Sequence, residues 1–391
     1  MATLTSNTKI LFKVVPPVEF ELEFEIVKPK LSLLFIAYYP LKVNSSYCTD
    51  FYWCYNIPMI HKVTFFNCDR WGDVAKSYLS GSEKLKTAGV EVAFGDSILC
   101  KDEIPTGDAA NFDIAGVFMD SPVDATVIAA LPELKFITTL STGFDHIDLA
   151  AAVARNIPVS SVPAYGENTV AEFAFALILA LSRKIVAANN RVRNEHKFTT
   201  DGLCGFDLAG KTIGVVGTGR IGKHAVRMAK GFGMKIVAYD VFHDDAFAKE
   251  MDFQYLALED LLAQSDVITV HAPYLPSTHH LINQQNIGLV KKGAILVNTA
   301  RGAIVETAAI VSALKSGQLG GAGLDVLEEE AAMKAGDMSL DADLVQLPNV
   351  IVTPHNAFNT NEAFIRILDT TIDNIVAFVN GTPTNVVKPQ A

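Results

Sequence analysis

The stretch Thr212–Asp240, TIGVVGTGRIGKHAVRMAKGFGMKIVAYD, decides how this chain folds. An apolar run, Thr212–Val216, leads directly into Gly217-Thr-Gly219-Arg-Ile-Gly222, and a helical pattern follows. Gly217 permits a tight turn, Gly219 lets a pyrophosphate approach the backbone, and Gly222 lets helix and strand pack closely. The N–H groups at the start of the helix would bind the anion. The context therefore predicts a dinucleotide-binding strand–helix–strand unit.

Asp240 indicates which dinucleotide this unit binds. It follows the next apolar run, Lys235–Tyr239, close to the expected spacing of about 20 residues after the glycines. Its carboxylate would accept hydrogen bonds from ribose hydroxyls and would repel a 2′-phosphate. Val241 and Phe242 follow it, so no guanidinium stands there to bind such a phosphate. The sequence therefore predicts NAD rather than NADP.

Short apolar runs alternate with helical patterns on both sides of this unit. Such alternation is typical of parallel sheets with helices on both faces, and the length of 391 residues allows two such domains. Between the two sets of runs, Asn168–Arg183 predicts a buried helix, and Thr169 and Glu172 have the spacing of a capping box. The predicted strands are His61–Phe66, Val90–Phe94, Ala115–Phe118, Phe136–Thr139, Thr212–Val216, Lys235–Tyr239, Val267–Val270, Ala294–Asn298, Ala322–Val326 and Val350–Val352.

Residues 1–60 follow a different pattern. Apolar and acidic residues alternate over Val18–Ile26, which predicts a strand with one apolar and one acidic face. The stretch Leu31–Leu41 is apolar without helical spacing. Two interpretations are open: an extension that lies beside the fold, or a start codon assigned too early.

Composition excludes several classes of protein. A net charge of −11 disfavours nucleic-acid binding, because polyanions would be repelled. The five cysteines are scattered without a CxxC pair, which disfavours disulfides and a metal site and favours a reducing compartment. No apolar run reaches the ~18 residues of a membrane span, and the first residues do not resemble a signal peptide. We expect a cytoplasmic protein that binds a small molecule, with no membrane and no metal.

Three charged residues stand near the ends of the later predicted strands: Arg301, Glu330 and His355. An arginine there can hold a two-oxygen carboxylate bidentately, although a surface ion pair is equally open. The acidic run Glu328–Glu330 would usually be solvated, but one of its carboxylates could fix the tautomer of His355 and keep it protonated. His355 could then give a proton to a carbonyl oxygen while NADH delivers a hydride to the carbon. The set predicts hydride transfer between NAD and a 2-oxo acid.

Several motifs together resemble the D-isomer-specific 2-hydroxyacid dehydrogenases, and within them the D-lactate dehydrogenase branch, from about His61 to Val379. Besides the glycine fingerprint, these motifs are Ser141–Asp148 (STGFDHID), Val162–Thr169 (VPAYGENT), Val297–Gly302 (VNTARG), Gly323–Glu330 (GLDVLEEE) and Pro354–Phe358 (PHNAF). The resemblance implies a Rossmann NAD-binding domain at residues 164–355. It also implies that this domain is inserted in a flavodoxin-like substrate domain made of residues 61–163 and 356–391, with 1–60 as an atypical extension. A homodimer is the family habit.

The resemblance also implies roles for individual residues. The catalytic set falls on Arg301, Glu330 and His355, with Glu330 matched because it stands five residues after Asp325. Together with the fingerprint, the resemblance assigns cofactor binding to Gly217, Gly219, Arg220, Ile221, Gly222, Asp240, Ala272, Pro273, Thr278, Thr299, Ala300 and Asp325. It assigns substrate binding to Thr142, Gly143, Tyr165, Arg301 and Phe358. Thr278 departs from the pattern, because this branch commonly has an amide residue there.

D-lactate dehydrogenase is the favoured function, with pyruvate as the first expected substrate. Phenylpyruvate and branched 2-oxo acids stay open, since the sequence does not give the width of the pocket. Formate dehydrogenases of the family have glutamine where Glu330 stands, which disfavours formate. From another class, an NAD-sensing corepressor-like scaffold without turnover is the alternative, and an enzyme similar to adenosylhomocysteine hydrolase is less favoured because it would not need Arg301.

Overall fold

The computed structural model describes residues 60–67, 72–328, 330 and 342–388, and the backbone of three short strands before them. Those strands are β1 (Glu23–Val27), β2 (Leu34–Tyr38) and β3 (Trp53–Asn56). They form an antiparallel sheet in the order β1-β2-β3. The strand predicted over Val18–Ile26 overlaps β1, and its first residues lie outside the described residues, as does the rest of the predicted extension apart from β2, β3 and Ile60.

Internal contacts divide the chain into two compact units, and the first consists of residues 1–163 and 367–391. It contains a parallel sheet of five strands in the order β5-β4-β6-β7-β8. Counted within this sheet alone, the order is the 2-1-3-4-5 order of flavodoxin-like folds. The strands are β4 (His61–Phe65), β5 (Val90–Phe94), β6 (Ile114–Val117), β7 (Phe136–Thr139) and β8 (Val159–Ser160), and the helices are α1 (Gly72–Gly81), α2 (Glu83–Thr87), α3 (Ala125–Ala130) and α4 (Leu149–Ala154).

The second unit, residues 164–366, contains one parallel sheet of seven strands. Its order, β11-β10-β9-β12-β13-β14-β15, is 3-2-1-4-5-6-7 within the unit, the dinucleotide-binding order with a seventh strand added. The strands are β9 (Thr212–Val216), β10 (Lys235–Tyr239), β11 (Gln254–Tyr255), β12 (Val267–Val270), β13 (Ala294–Asn298), β14 (Leu319–Leu324) and β15 (Val350–Val352). The helices are α5 (Glu167–Ser182), α6 (Ile185–Arg193), α7 (Arg220–Gly231), α8 (Asp245–Met251), α9 (Leu258–Gln264), α10 (Thr307–Lys315) and α11 (Ala342–Val345). The two parallel sheets confirm the predicted fold class.

Apolar helices cover both faces of the seven-stranded sheet. α5, α7 and α8 pack on one face, and α9 and α10 on the other. Gly323 on β14 lets α5 lie close, because a Cβ there would come within 3.0 Å of the Leu177 Cβ. β14 begins at Leu319, three residues before its predicted start, because Gly320 and Gly321 interrupt the apolar pattern that reveals a strand.

The predicted capping box at Thr169 and Glu172 is wrong. The helix begins at Glu167, whose carboxylate favours the first turn, so both residues already lie inside α5. Glu172 Oε1 instead accepts a hydrogen bond from Asn168 Nδ2 at 3.1 Å, and Thr169 Oγ1 accepts one from Arg366 Nη2 at 3.4 Å.

The last helix, α12 (Asn361–Val379), contains the boundary between the units. In the first unit, its Phe378 ring stacks on Phe136 with the centroids 4.4 Å apart, and Asp373 pairs with Lys84 at 2.5 Å. Residues 356–366 belong by contact to the second unit, whereas the resemblance predicts them in the first.

Among the described residues, no helix combines the length and the apolar character needed to cross a membrane.

Candidate active site

The turn between β9 and α7 has the backbone form that the glycine pattern predicts. Gly217 has φ +92°, and a Cβ there would lie 2.7 Å from the Ala272 nitrogen in the loop after β12. A Cβ at Gly222 would overlap the Gly217 carbonyl oxygen, whereas one at Gly219 would meet no atom within 4 Å among the described residues. The fold itself therefore needs Gly217 and Gly222. Gly219 leaves open space at the helix start, as the close approach of a pyrophosphate requires.

Asp240 follows β10, and its carboxylate is held against the glycine turn. Oδ2 accepts hydrogen bonds from the Thr218 N–H at 2.6 Å and from the Thr218 hydroxyl at 3.1 Å. Oδ1 accepts one from the Phe242 N–H at 3.0 Å, and the Tyr255 hydroxyl lies 2.9 Å from Thr218 Oγ1. Sequence reasoning found Asp240 from its spacing but missed Thr218 and Tyr255, which orient it. A carboxylate fixed here suits ribose hydroxyls and disfavours a 2′-phosphate.

Buried polar atoms at the ends of β12 and β13 lack hydrogen-bond partners in the described part of the chain. His271 Nε2 lies 3.0 Å from Thr269 Oγ1, but its Nδ1 is unpaired, and so is Thr299 Oγ1. Burial lowers the pKa of His271 to about 4, so the imidazole is neutral near pH 7. Buried polar groups normally have a partner. The two orphaned atoms, on adjacent parallel strands beside the glycine turn, therefore fit a site that receives a polar cofactor.

The loop after β12 also carries Thr278, where the resemblance predicts an amide residue. The Thr278 hydroxyl accepts a hydrogen bond from the Leu275 N–H at 2.8 Å and donates one to the Pro273 oxygen at 2.7 Å. The side chain thus closes the turn that begins at Ala272 and Pro273. At the start of α7, Arg220 is largely exposed, with Nη1 3.9 Å from Glu167 Oε1.

Backbone hydrogen bonds connect the ends of β13, β14 and β15, three adjacent parallel strands. The Asp325 N–H donates to the Asn298 oxygen at 3.0 Å, and the His355 N–H donates to the Asp325 oxygen at 2.8 Å. Asn298 also shapes the turn before Arg301, since its side chain donates to the Arg301 oxygen at 2.9 Å and accepts from the Ala300 N–H at 3.0 Å. Arg301 Nη1 donates to the Ala300 oxygen at 2.8 Å. Three strand ends thus bring Arg301, Asp325 and His355 to one edge of the sheet.

His355 and Glu330 form the central pair of the site. His355 Nδ1 lies 2.7 Å from Glu330 Oε1, and the two side chains are 14% and 27% exposed. The carboxylate fixes Nδ1 as the protonated ring nitrogen, so that Nε2 is the nitrogen that can exchange a proton. His355 has φ +51°, a left-handed backbone that is uncommon outside glycine and asparagine.

Asp325 braces the loop that carries His355. Its carboxylate, in a residue 1% exposed, accepts hydrogen bonds from the Thr353 hydroxyl at 2.5 Å and from the Asn356 and Ala357 N–H groups, each at 2.8 Å. Burial raises the pKa of Asp325. The three hydrogen bonds lower the pKa, as does the charge of the nearby His355, but together they offset only part of the effect of burial. The resemblance predicts Asp325 as a cofactor-binding residue. The structure adds the three donors, which hold the left-handed turn at His355.

The predicted substrate-binding residues lie in both units. Tyr165 and Phe358, in the second, are buried and meet edge to face with ring centroids 6.4 Å apart. Thr142 and Gly143, in the first, follow β7. There the Thr142 hydroxyl donates to the Val162 oxygen at 2.8 Å, and the Ser141 hydroxyl donates to the Gly143 oxygen at 2.6 Å.

Comparison with known proteins identifies the family. The family model described as "D-isomer specific 2-hydroxyacid dehydrogenase, NAD binding domain" matches residues 175–357. The 2-hydroxyacid dehydrogenase A of Aspergillus oryzae is 45% identical over 280 residues, 69% of this chain and 80% of that protein. The chain belongs to the D-isomer-specific 2-hydroxyacid dehydrogenases. The prediction of an NAD-dependent 2-hydroxyacid dehydrogenase is therefore confirmed.

Relatives of this dehydrogenase carry several names. A glyoxylate reductase of Korarchaeum cryptofilum is 37% identical over 303 residues, 75% of this chain and 89% of its own. Among solved structures, the D-lactate dehydrogenase of Aquifex aeolicus complexed with NAD and lactic acid is 33% identical with a TM-score of 0.73, covering 82% of this chain and 96% of its own. Names therefore do not decide the substrate.

Alanine at two of the glycines should separate cofactor binding from folding. Gly219→Ala should lower the free energy of unfolding by no more than about 1 kcal/mol, the cost of alanine at a helix N-cap. It should weaken NADH binding about tenfold or more, because the methyl group enters the space left for the pyrophosphate. Gly222→Ala should destabilise the protein by about 2 kcal/mol or more, because its Cβ overlaps Gly217.

Urea unfolding and the quenching of NADH fluorescence measure the two effects. Wild-type NADH affinity in Gly219→Ala would show that the open space at the helix start is not the dinucleotide site.

His271 should make the stability of the second unit depend on pH. Its pKa is about 4 in the folded protein and 6.5 in the unfolded chain, so the unfolded chain takes up the proton first as the pH falls. The contribution of His271 is complete above pH 6.5 and is lost as the pH falls towards 4, by about 2 kcal/mol between pH 7.5 and pH 5. Urea unfolding of wild type and His271→Gln at both pH values should show the larger loss in wild type, and equal losses would contradict the burial of a neutral imidazole.

Proposed function

We propose that this dehydrogenase is a D-lactate dehydrogenase, which reduces pyruvate with NADH. The observation that carries the proposal is the His355–Glu330 pair, held at the end of β15 beside the strand ends that carry Asp325 and Arg301. A histidine supported by a carboxylate is a proton donor, and an arginine two strands away is a carboxylate anchor. A 2-oxo acid offers a carbonyl oxygen and a carboxylate next to each other, which matches the two groups.

Arg301 would bind the substrate carboxylate. Its planar guanidinium can donate two parallel hydrogen bonds to the two oxygens, which fixes the direction of the neighbouring carbonyl. Asn298 holds the backbone turn from which Arg301 projects, because it bonds both Ala300 and Arg301. The resemblance adds the backbone N–H groups of Thr142 and Gly143 as further donors to this carboxylate, and we include them in the proposal.

His355 would transfer the proton of the reaction. In reduction, Nε2 donates its proton to the carbonyl oxygen as that oxygen gains charge, and in oxidation it accepts the proton from the hydroxyl group. Glu330, at Nδ1, holds the plane of the ring and leaves Nε2 to exchange the proton. NAD, when bound, supplies or accepts the hydride at the substrate carbon. One hydride and one proton together convert the 2-oxo acid to the 2-hydroxy acid.

We assign cofactor binding to the residues at the glycine turn and at the adjoining strand ends. Asp240 would accept hydrogen bonds from the ribose hydroxyls. Gly219 would let the pyrophosphate approach the backbone, since no atom lies within 4 Å of where a Cβ would stand. The orphaned Thr299 Oγ1 would gain a partner on binding. The other assigned residues are Gly217, Arg220, Ile221, Gly222, Ala272, Pro273, Thr278, Ala300 and Asp325.

Tyr165 and Phe358 support a small 2-oxo acid as the substrate. Their buried rings meet edge to face and would form an aromatic wall beside His355, which is close to Phe358 in sequence. The Aquifex aeolicus structure with lactic acid favours pyruvate, while the glyoxylate reductase among the relatives makes the two-carbon acid the main competitor. The homodimer and the cytoplasmic location implied at the outset stay predictions.

Turnover of a panel of 2-oxo acids tests this proposal. NADH oxidation should be fastest, by kcat/KM, with pyruvate, compared with glyoxylate, hydroxypyruvate, phenylpyruvate and 2-oxoisocaproate. In the reverse direction D-lactate should react and L-lactate should not. His355→Gln should lower kcat about 10²- to 10⁴-fold, because it removes the proton donor. Arg301→Lys should mainly raise KM for the 2-oxo acid, because a single ammonium replaces the bidentate fork.

Each contrary outcome has a definite meaning. A higher kcat/KM with glyoxylate or hydroxypyruvate would contradict the D-lactate assignment and leave the family intact. NADH binding without turnover of any of the acids would contradict the dehydrogenase and favour a scaffold that only senses NAD.

A further inference from the structure

A second histidine–carboxylate pair lies near the first and has no role in the proposed reaction. His280 Nε2, in the loop after β12, lies 2.5 Å from Glu328 Oε1, in the loop after β14. The side chains are 32% and 20% exposed, so Glu328 is not the solvated acid that a run of three glutamates usually contains. Glu328 stands two residues before Glu330. A single residue therefore separates it in sequence from the carboxylate that supports His355.

Glu328 also caps a helix from outside that helix. Its Oε2 accepts a hydrogen bond from the N–H of Thr307, the first residue of α10, at 2.6 Å. The N-cap residue Glu306 makes no side-chain cap of its own. One of the unpaired N–H groups at the helix start is thus satisfied by the loop after β14. Burial opposes the charge of Glu328, but the bonds from Thr307 and His280 outweigh it and hold the pKa of Glu328 below its usual value.

The backbones of the two loops leave no space between them. A Cβ on Gly302, the residue after Arg301, would overlap the carbonyl group of Leu327 and lie 2.5 Å from the Glu328 nitrogen. The residue after Arg301 therefore contacts the backbone of Leu327 and Glu328 directly. A shift of Glu328 away from α10 would be a shift of one loop relative to the other.

His280 is itself fixed in place. Its N–H donates to the Ala303 oxygen at 2.8 Å, and its own carbonyl oxygen accepts a hydrogen bond from Asn283 Nδ2 at 2.8 Å. Its φ of +49° lies in the left-handed region, which these bonds hold. The loop after β12 thus makes two contacts through His280. Its backbone N–H binds Ala303, in the segment after Arg301, and its imidazole binds Glu328.

We propose that His280 and Glu328 are positioning residues of the dehydrogenase, which lock the segment Gly302–Thr307 to Leu327 and Glu328, just before Glu330 in the chain. The lock would keep the guanidinium that binds the carboxylate and the pair that transfers the proton in one relative geometry. Misplacement of a reacting group by about 1 Å can cost about 10²-fold in rate, so such a lock matters for turnover. This inference rests on the roles proposed above for Arg301, Glu330 and His355.

Variants at the two positions test the lock. Glu328→Ala and His280→Leu should each lower kcat with the best 2-oxo acid by about tenfold to 10²-fold and raise its KM, because the two segments lose their common anchor. NADH affinity should change less than kcat does, because the glycine turn and Asp240 are not part of the lock. His280→Gln should keep most of the activity, since its amide N–H can replace Nε2–H as the donor. The double variant should be no worse than the worse single one.

A matched control is the ion pair at the other end of α10. Lys315 Nζ lies 2.7 Å from Asp343 Oδ2, and both side chains are more than half exposed. Asp343→Asn should leave kcat and KM unchanged. If Glu328→Ala does not fold, Glu328→Gln, which retains an acceptor for Thr307, takes its place.

A second readout does not depend on turnover. With ¹⁵N-labelled histidine, the ring nitrogens of His355 can be assigned by their loss in His355→Gln. Their ¹⁵N chemical shifts should change in Glu328→Ala and His280→Leu, because the hydrogen bond between Glu330 and His355 Nδ1 is disturbed. In Asp343→Asn they should remain those of wild type.

The two readouts separate the failures. Folded variants with wild-type His355 resonances, kcat and KM, but a lower melting temperature, would overturn the lock and leave a helix cap only. Independent, multiplicative losses in the double variant would also overturn it. If wild type reduces no 2-oxo acid, the proposed function fails, and the His355 resonances still decide whether the lock exists.

Discussion

Two backbone hydrogen bonds beyond the last paired residues of the strands set the geometry on which the candidate site depends. Asp325 donates to Asn298 and accepts from His355, so the parallel ladder of β13, β14 and β15 continues into the loops. The Asp325 carboxylate also accepts hydrogen bonds from Thr353, Asn356 and Ala357, which flank His355 in the turn. A single buried acid thus joins three strand ends, so the rigid sheet holds the side chains that we propose to act on the substrate.

The sequence predicts most of this architecture, because a strand covered on both faces must be apolar throughout. The fingerprint at Gly217–Gly222 gives the cofactor domain, and Lys235–Tyr239 ends where the spacing of Asp240 requires. The prediction is weaker where composition hides the element. Gly320 and Gly321 conceal the start of β14, and at α5 a capping pattern stands inside a helix that begins earlier.

Charged residues at strand ends are also visible in sequence, so Arg301, Glu330 and His355 can be chosen before the structure is known. Their supporting contacts cannot, because the partners come from distant segments. His280 and Glu328 are 48 residues apart in the chain, and three consecutive glutamates give no periodic signal that sets one apart. His271 illustrates the same limit, since its neutral state follows from burial, which the run VITVHAP does not reveal.

The contribution of α12 to the first unit has a consequence for synthesis on the ribosome. Phe136 is fully buried, and part of its cover is the ring of Phe378, which is translated long afterwards. At about 5–20 residues per second, the gap between the two phenylalanines is on the order of 10–50 s. During that interval the residues of the second unit are synthesised. Until Phe378 follows, the Phe136 ring in the five-stranded sheet lacks its stacking partner. All residues of the second unit are therefore synthesised before the last residues of the first unit.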